Sequence, residues 1–106
     1  MKEKESYLAE IRNMIKKLKD PAVLKNQSKE KKTNILKDIL EEMKKLIFDY
    51  HEVVENEAFF SFCNIYDFLI DWFFFKSKIY NDSFFENELL WRIEKIEKIT
   101  EKKHEK

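Results

Sequence analysis

Carboxylates and histidines are the residues of this chain most suited to metal chemistry. A helical di-iron site needs a Glu from each of two helices and a Glu-x-x-His pair from each of two others. Glu101 and His104 have that spacing, but they lie in the terminal sequence EKKHEK, and His51 has no Glu three residues before it. We therefore predict no metal site and no cofactor.

Three further residues have side chains capable of catalysis. Asp67 and Asp71 are one helical turn apart and have the spacing of an acid–base pair, but no His or Lys is near them in sequence. Cys63 lies among aromatic residues, where we expect an inert, buried thiol. We interpret the two carboxylates as a narrow polar stripe, and we predict that the protein is not an enzyme.

The absence of glycine excludes several kinds of site. The chain of 106 residues contains no Gly. A Walker loop, a dinucleotide fingerprint and a glycine-built nucleophile elbow all depend on that residue. Phosphate-binding loops of these types are therefore excluded.

Four segments show the apolar spacing of amphipathic helices. We predict helices over about 4–19, 33–54, 57–79 and 84–103, with a loop over 25–32. Asp20 and Pro21 predict an N-cap followed by a first helical residue, and therefore a short extra helical turn after Pro21. Ser83 and Glu86 have the spacing of a capping box before the last helix.

These segments predict an all-α fold. One chain of this length suits a single domain over residues 1–106. No segment shows sustained strand alternation, and the connections are short. We therefore expect a compact four-helix bundle with antiparallel neighbours.

The apolar stretch from Ala58 to Phe75 is long enough to raise the question of a membrane span. It carries Asp67 and Asp71 near its middle, where a carboxylate is costly in a bilayer. We predict a buried helix of a globular protein and no membrane span. The N-terminal sequence lacks an apolar signal region and the chain has one Cys, so we predict a cytoplasmic location.

Charge is segregated along the chain although the net charge is zero. Residues 1–50 contain 13 basic and 9 acidic residues, and residues 51–106 contain 8 and 12. A Lys-rich segment within 12–32 could bind the phosphates of a nucleic acid, although it lacks aromatic residues for stacking. The lysines of this alternative polyanion-binding site are Lys16, Lys17, Lys19, Lys25, Lys29, Lys31 and Lys32.

The third helix has more large apolar residues than a bundle core requires. Its apolar arc covers about 200° on a helical wheel, against somewhat over 100° for an ordinary bundle helix. Three further Phe lie in its polar sector, and the last helix carries aromatic residues beside its core stripe. Exposed aromatic residues are frequent anchors of protein interfaces. The predicted partner-binding residues are Phe60, Asp67, Phe68, Asp71, Phe75, Phe84 and Trp91.

Together these patterns favour a non-enzymatic protein–protein interaction module. Its partner would be another protein, a second copy of itself in a homodimer, or both. A small inhibitor, an immunity or antitoxin-like protein and an assembly subunit all suit a compact helical domain of this size. A nucleic-acid-associated protein is the alternative.

Overall fold

The structure is a computed structural model that describes residues 4–25, 29–50, 57–75, 78–79 and 81–104. The described residues form five helices and no strand: α1 (Lys4–Lys19), α2 (Pro21–Leu24), α3 (Lys29–Tyr50), α4 (Glu57–Phe74) and α5 (Asp82–His104). The predicted all-α fold is confirmed, with the four long helices packed as a bundle.

The short helix α2 forms as the sequence predicts. The Asp20 carboxylate accepts a hydrogen bond of 2.9 Å from the backbone N–H of Ala22, and Pro21 is the first helical residue. Proline suits this position because its missing N–H would have no partner inside the helix. Val23 and Leu24 are buried, so α2 closes one end of the core.

Helix α3 begins at Lys29, so the predicted start at about 33 is wrong and the predicted loop is wrong for residues 29–32, while residues 26–28 lie outside the described part of the chain. The Lys32 side chain explains the difference. It is only 3% exposed, and its Nζ atom lies 4.1 Å from the centroid of the Phe85 ring. Its stem therefore occupies a core position, as long cationic side chains can. The predicted end of this helix at Val54 lies outside the described residues.

The boundary between α4 and α5 also differs from the prediction. Helix α4 ends at Phe74 instead of 79, because the exposed Phe74, Phe75 and Ile79 have no core to pack against. The cap of α5 is Asn81 and not Ser83. The Asn81 Oδ1 atom accepts a hydrogen bond of 2.9 Å from the Phe84 N–H, and Ser83 lies inside the first turn.

The core lies along the shared axis of the four long helices. Its largest fully buried side chains come from all four of them: Tyr7, Ile11, Leu18, Leu36, Met43, Tyr50, Phe62, Ile65, Leu69, Phe85, Leu89 and Ile93. Helix α1 packs against α3 and α5, and α4 packs against α3 and α5. The antiparallel order of the whole bundle stays a prediction.

The contacts between α4 and α5 pair residues late in α4 with residues early in α5. Trp72, near the end of α4, packs against Phe84 and Phe85 at the start of α5. The side chain of Asn64, near the middle of α4, accepts a hydrogen bond from Arg92, near the middle of α5. This pairing brings the N-terminal half of α4 beside the C-terminal half of α5.

Candidate interaction surface

Three of the seven predicted partner-binding residues have strongly exposed aromatic rings. Phe60 is 66% exposed, Phe75 is 65% exposed and Trp91 is 46% exposed. Phe60 and Trp91 lie on two different helices and line one groove. Phe75 lies past the other end of α4, beside the exposed Phe74. The structure therefore divides the predicted aromatic face into two exposed regions.

Phe68 does not belong to this exposed face, so its predicted place on the surface is wrong. It is only 5% exposed, and its ring centroid lies 6.0 Å from that of Phe85. Helix α5 covers the side of α4 on which Phe68 lies. A helical wheel shows that Phe68 is at the edge of the apolar arc, but it does not show which edge a neighbouring helix will cover.

Phe84 is half-buried and packs on the core. Its ring is stacked on that of Trp72, with an angle of 18° between the planes and 6.2 Å between the centroids. Phe84 therefore contributes mainly to the contact between α4 and α5.

The two predicted carboxylates lie on the outer side of α4. Asp67 is exposed and Asp71 is half-buried. Spacings of seven, four and four residues place Phe60, Asp67, Asp71 and Phe75 along one stripe of the helix. The predicted polar stripe is therefore bounded by exposed aromatic rings at both of its ends.

A groove runs between the outer faces of α4 and α5. Its narrow part has a volume of about 150 Å³ and is lined by Phe60, Ser61, Asn64, Trp91, Arg92 and Lys95. It continues toward the start of α4 between Glu57 and Lys98. We call the surface formed by these residues the α4/α5 groove.

Arg92 holds the centre of this groove in place. Its Nε–H donates to the Asn64 Oδ1 atom at 3.1 Å, and its Nη1 donates to the Glu88 backbone oxygen at 2.8 Å and to Glu88 Oε1 at 3.0 Å. Its guanidinium carbon also lies 4.5 Å from the Phe68 ring centroid and 4.4 Å from that of Trp91. A planar guanidinium suits this combination of fixed hydrogen bonds and ring stacking.

Trp91 is oriented by the same network. Its indole Nε1–H points at Glu88 Oε1 across 3.4 Å, and the Arg92 guanidinium lies over its ring. An exposed side chain that is already oriented loses less conformational freedom when a partner binds. The groove thus presents a partly ordered Trp–Arg pair, and these two residue types are enriched among residues that dominate binding energy.

Sequence analysis did not identify Arg92, Glu88 or Asn64 as part of the surface. The spacing of Glu88 and Arg92 is the i,i+4 spacing of a helical ion pair, and this signal was available in the sequence. The role of Asn64 could not be predicted from the sequence, because its hydrogen bond to Arg92 joins residues that are 28 positions apart.

The lysines of the alternative polyanion site do not form one open patch. Lys17 pairs with Glu42 at 2.7 Å, Lys19 pairs with Glu97 at 3.0 Å, and Lys32 is buried. Lys16, Lys25 and Lys31 are exposed, and the side chain of Lys29 lies outside the described part of the structure.

Three of the residues considered for catalysis, Cys63, Asp67 and Asp71, lie within α4. Cys63 is half-buried, and burial, followed by the nearby Asp67 carboxylate, raises the pKa of its thiol. The side chains of Glu101 and His104 are outside the described part, and among the described residues no cluster of three metal-ligating side chains occurs.

Comparison with protein-family models, with curated proteins and with solved structures finds no match to this chain. Within the described residues, none of the helices combines the length and the apolar character that crossing a membrane requires.

Proposed function

We propose that this chain is a non-enzymatic protein-binding module and that the α4/α5 groove is its binding surface. One observation carries the proposal. Phe60 of α4 and Trp91 of α5 are both exposed and line one groove, and a hydrogen bond to Glu88 and stacking with Arg92 hold the Trp91 ring in place.

The chemistry of the groove suits a protein partner. The two rings offer apolar area, while Ser61, Asn64 and Lys95 add polar groups to the lining. Protein interfaces typically combine an aromatic centre with a polar rim of this kind. An apolar side chain of the partner would insert between the rings, and a polar or acidic group beside it would reach Lys95.

The proposed biological role follows from this binding mode. A small domain that binds tightly without chemistry of its own acts by occupying a surface, as an inhibitor, an immunity or antitoxin-like protein, or an assembly subunit does. We propose the cytoplasm as its location, because its single cysteine is free of any disulfide.

The test is affinity capture from an extract of the source cells with three immobilised forms of the protein. These are the wild type, the double variant Phe60→Ser/Trp91→Ser and the control Phe48→Ser/Ile79→Ser. The control removes two side chains that are even more exposed, at 74% and 75%, but lie outside the groove. Circular dichroism establishes that all three forms are folded.

The proposal predicts proteins that the wild type and the control retain and that the groove variant loses. Removal of an anchor ring from the centre of an interface costs 2 kcal/mol or more, which is roughly a thirtyfold loss of affinity. If both double variants lose the same proteins, retention reflects general hydrophobicity. If neither loses any, the groove is not the binding surface.

Nucleic-acid binding is less well supported as a function. Two of its seven candidate lysines form ion pairs and a third is buried. A phosphate backbone would have to compete with Glu42 and Glu97 for these cations.

A further inference from the structure

We infer that a cavity between α1 and α5 binds a small organic phosphate, a phosphate monoester carried on an apolar carbon skeleton. The cavity has a volume of about 440 Å³, which lies within the usual range of small-molecule sites. It shares no lining residue with the α4/α5 groove. The inference therefore goes beyond the proposed function and does not depend on it.

The cations of this cavity lie along one stripe of α1. Arg12, Lys16 and Lys19 follow one another at spacings of four and three residues, and all three line the cavity. Lys19 pairs with the Glu97 carboxylate of α5 at 3.0 Å. Among the described residues, no salt bridge involves Arg12 or Lys16, so these two cations are left to receive an anion.

The spacing of Arg12 and Lys16 itself favours a bound anion. Side chains four residues apart are neighbours on a helix surface, and like charges at that spacing destabilise the helix. An anion between the two removes this repulsion. A guanidinium can bind a phosphate through two parallel hydrogen bonds, and an ammonium adds a compact positive charge beside it.

Two carboxylates also line the cavity, and both already have partners. Asp20 accepts a hydrogen bond from the Ala22 N–H as the cap of α2, and Glu97 pairs with Lys19. Three cations and two carboxylates leave a formal charge of +1 on the lining. A phosphate monoester carries roughly two negative charges at pH 7, which matches the two cations without a salt bridge.

An apolar part of the lining gives the site a place for a carbon skeleton. Ile15 and Thr100 are both buried and both line the cavity. The Thr100 hydroxyl donates to backbone oxygens of Ile96 and Glu97 at 3.0 Å, so its proton is already used within α5. The skeleton of the ligand would cover Ile15, while its phosphate lies between the cations of α1.

The experiment is an NMR titration of the isotope-labelled full chain with phenyl phosphate, inorganic phosphate and benzoate. Phenyl phosphate should shift the amide resonances of Ile15 and Thr100 in a saturable manner. It should bind more tightly than inorganic phosphate, because its ring leaves water for the apolar part of the lining. It should also bind more tightly than benzoate, which carries one negative charge.

Two double variants test the cations. Arg12→Gln/Lys16→Gln should weaken the binding of phenyl phosphate about tenfold or more, because it removes the charge-assisted hydrogen bonds. Lys37→Gln/Lys44→Gln removes the same charge from exposed positions of α3 outside the cavity, and it should bind as the wild type does.

Glu97→Gln tests the same site in the opposite direction. It removes a carboxylate from the lining and releases Lys19 for the anion, so the affinity for phenyl phosphate should rise. A rise in affinity cannot result from loss of folding. An unchanged or lower affinity in this variant would contradict the proposed role of the cations.

Three further results would overturn the site. They are the absence of a saturable shift at Ile15 and Thr100, equal weakening in both double variants, and binding of inorganic phosphate or benzoate as tight as that of phenyl phosphate. A single-stranded oligonucleotide that binds the same residues more tightly, with an affinity that falls steeply with salt, would replace the small phosphate by a nucleic acid. None of these measurements involves Phe60 or Trp91, so the proposed function stands or fails separately.

Discussion

At the scale of single residues, three phenylalanines that the helical wheel places in one sector, two in α4 and one just past its end, have different environments. Phe60 and Phe75 are exposed, whereas Phe68 lies between Phe85 and the guanidinium of Arg92. The difference arises from the neighbouring helix, which covers the middle of this side of α4. The exposed rings are therefore available for binding, while Phe68 is a core residue.

This difference predicts opposite effects of the same substitution. Phe68→Ala should lower the free energy of unfolding by about 3–5 kcal/mol, because it leaves a cavity and removes the ring under Arg92. Phe60→Ala should change it by no more than about 0.5 kcal/mol. Urea unfolding followed by circular dichroism measures both values. Equal effects of the two substitutions would contradict the assigned environments.

Tyr50 gives a prediction for the dependence of stability on pH. Its burial, and next the neighbouring Glu10 carboxylate, raise its pKa from the ordinary 10.0 to about 12, and burial also raises the pKa of Tyr7. The folded protein holds these phenolic protons more tightly than the unfolded chain does. Their contribution to stability is therefore complete below about pH 10 and is lost as the pH rises toward 12.

The measurement is urea unfolding at intervals from pH 8 to beyond the range in which Tyr50 titrates. Tyr50→Phe keeps the ring and removes the ionisable group, so its stability should decline less steeply over this range than that of the wild type. Identical pH dependence in the two proteins would show that Tyr50 ionises as easily in the folded state as in the unfolded chain.

At the scale of helices, periodicity predicted the number and the core sides of the long helices but not all of their ends. The apolar stripe of α5 is buried from Phe85 through Ile96 as its spacing requires. The start of α3 was missed because Lys32, a charged residue, occupies a core position over the Phe85 ring. Helix ends depend on such single contacts, and many of these join residues that are distant in sequence.

The start of α5 provides a direct test of which residue caps it. Asn81→Ala should lower the free energy of unfolding by about 1 kcal/mol, because it removes the acceptor for the Phe84 N–H. Ser83→Ala should be neutral or slightly stabilising, since Ser83 lies inside the helix and Ala is the better helix former. Thermal unfolding of the two variants distinguishes them, and a larger loss for Ser83→Ala would instead support the capping box.

At the scale of the whole molecule, the site depends on how α4 and α5 come together. The sequence indicated a surplus of aromatic residues and correctly selected Phe60, Phe75 and Trp91 as residues left outside the core. It did not reveal that Phe60 and Trp91 share one groove or that Arg92 orders its centre, because those relations are set by the packing of two helices. The packing also separates Phe75 from the other two rings.

The measurement that tests the central claim most directly is site-specific photocrosslinking in the source cells. A benzophenone-bearing phenylalanine analogue replaces Phe60 in one form of the protein and Phe48, exposed on α3, in the other. The account predicts a discrete crosslinked protein from position 60, which mass spectrometry identifies as a second copy or another protein, and none from position 48. No adduct from position 60, or the same diffuse adducts from both positions, would contradict the assignment of the α4/α5 groove as a protein-binding surface.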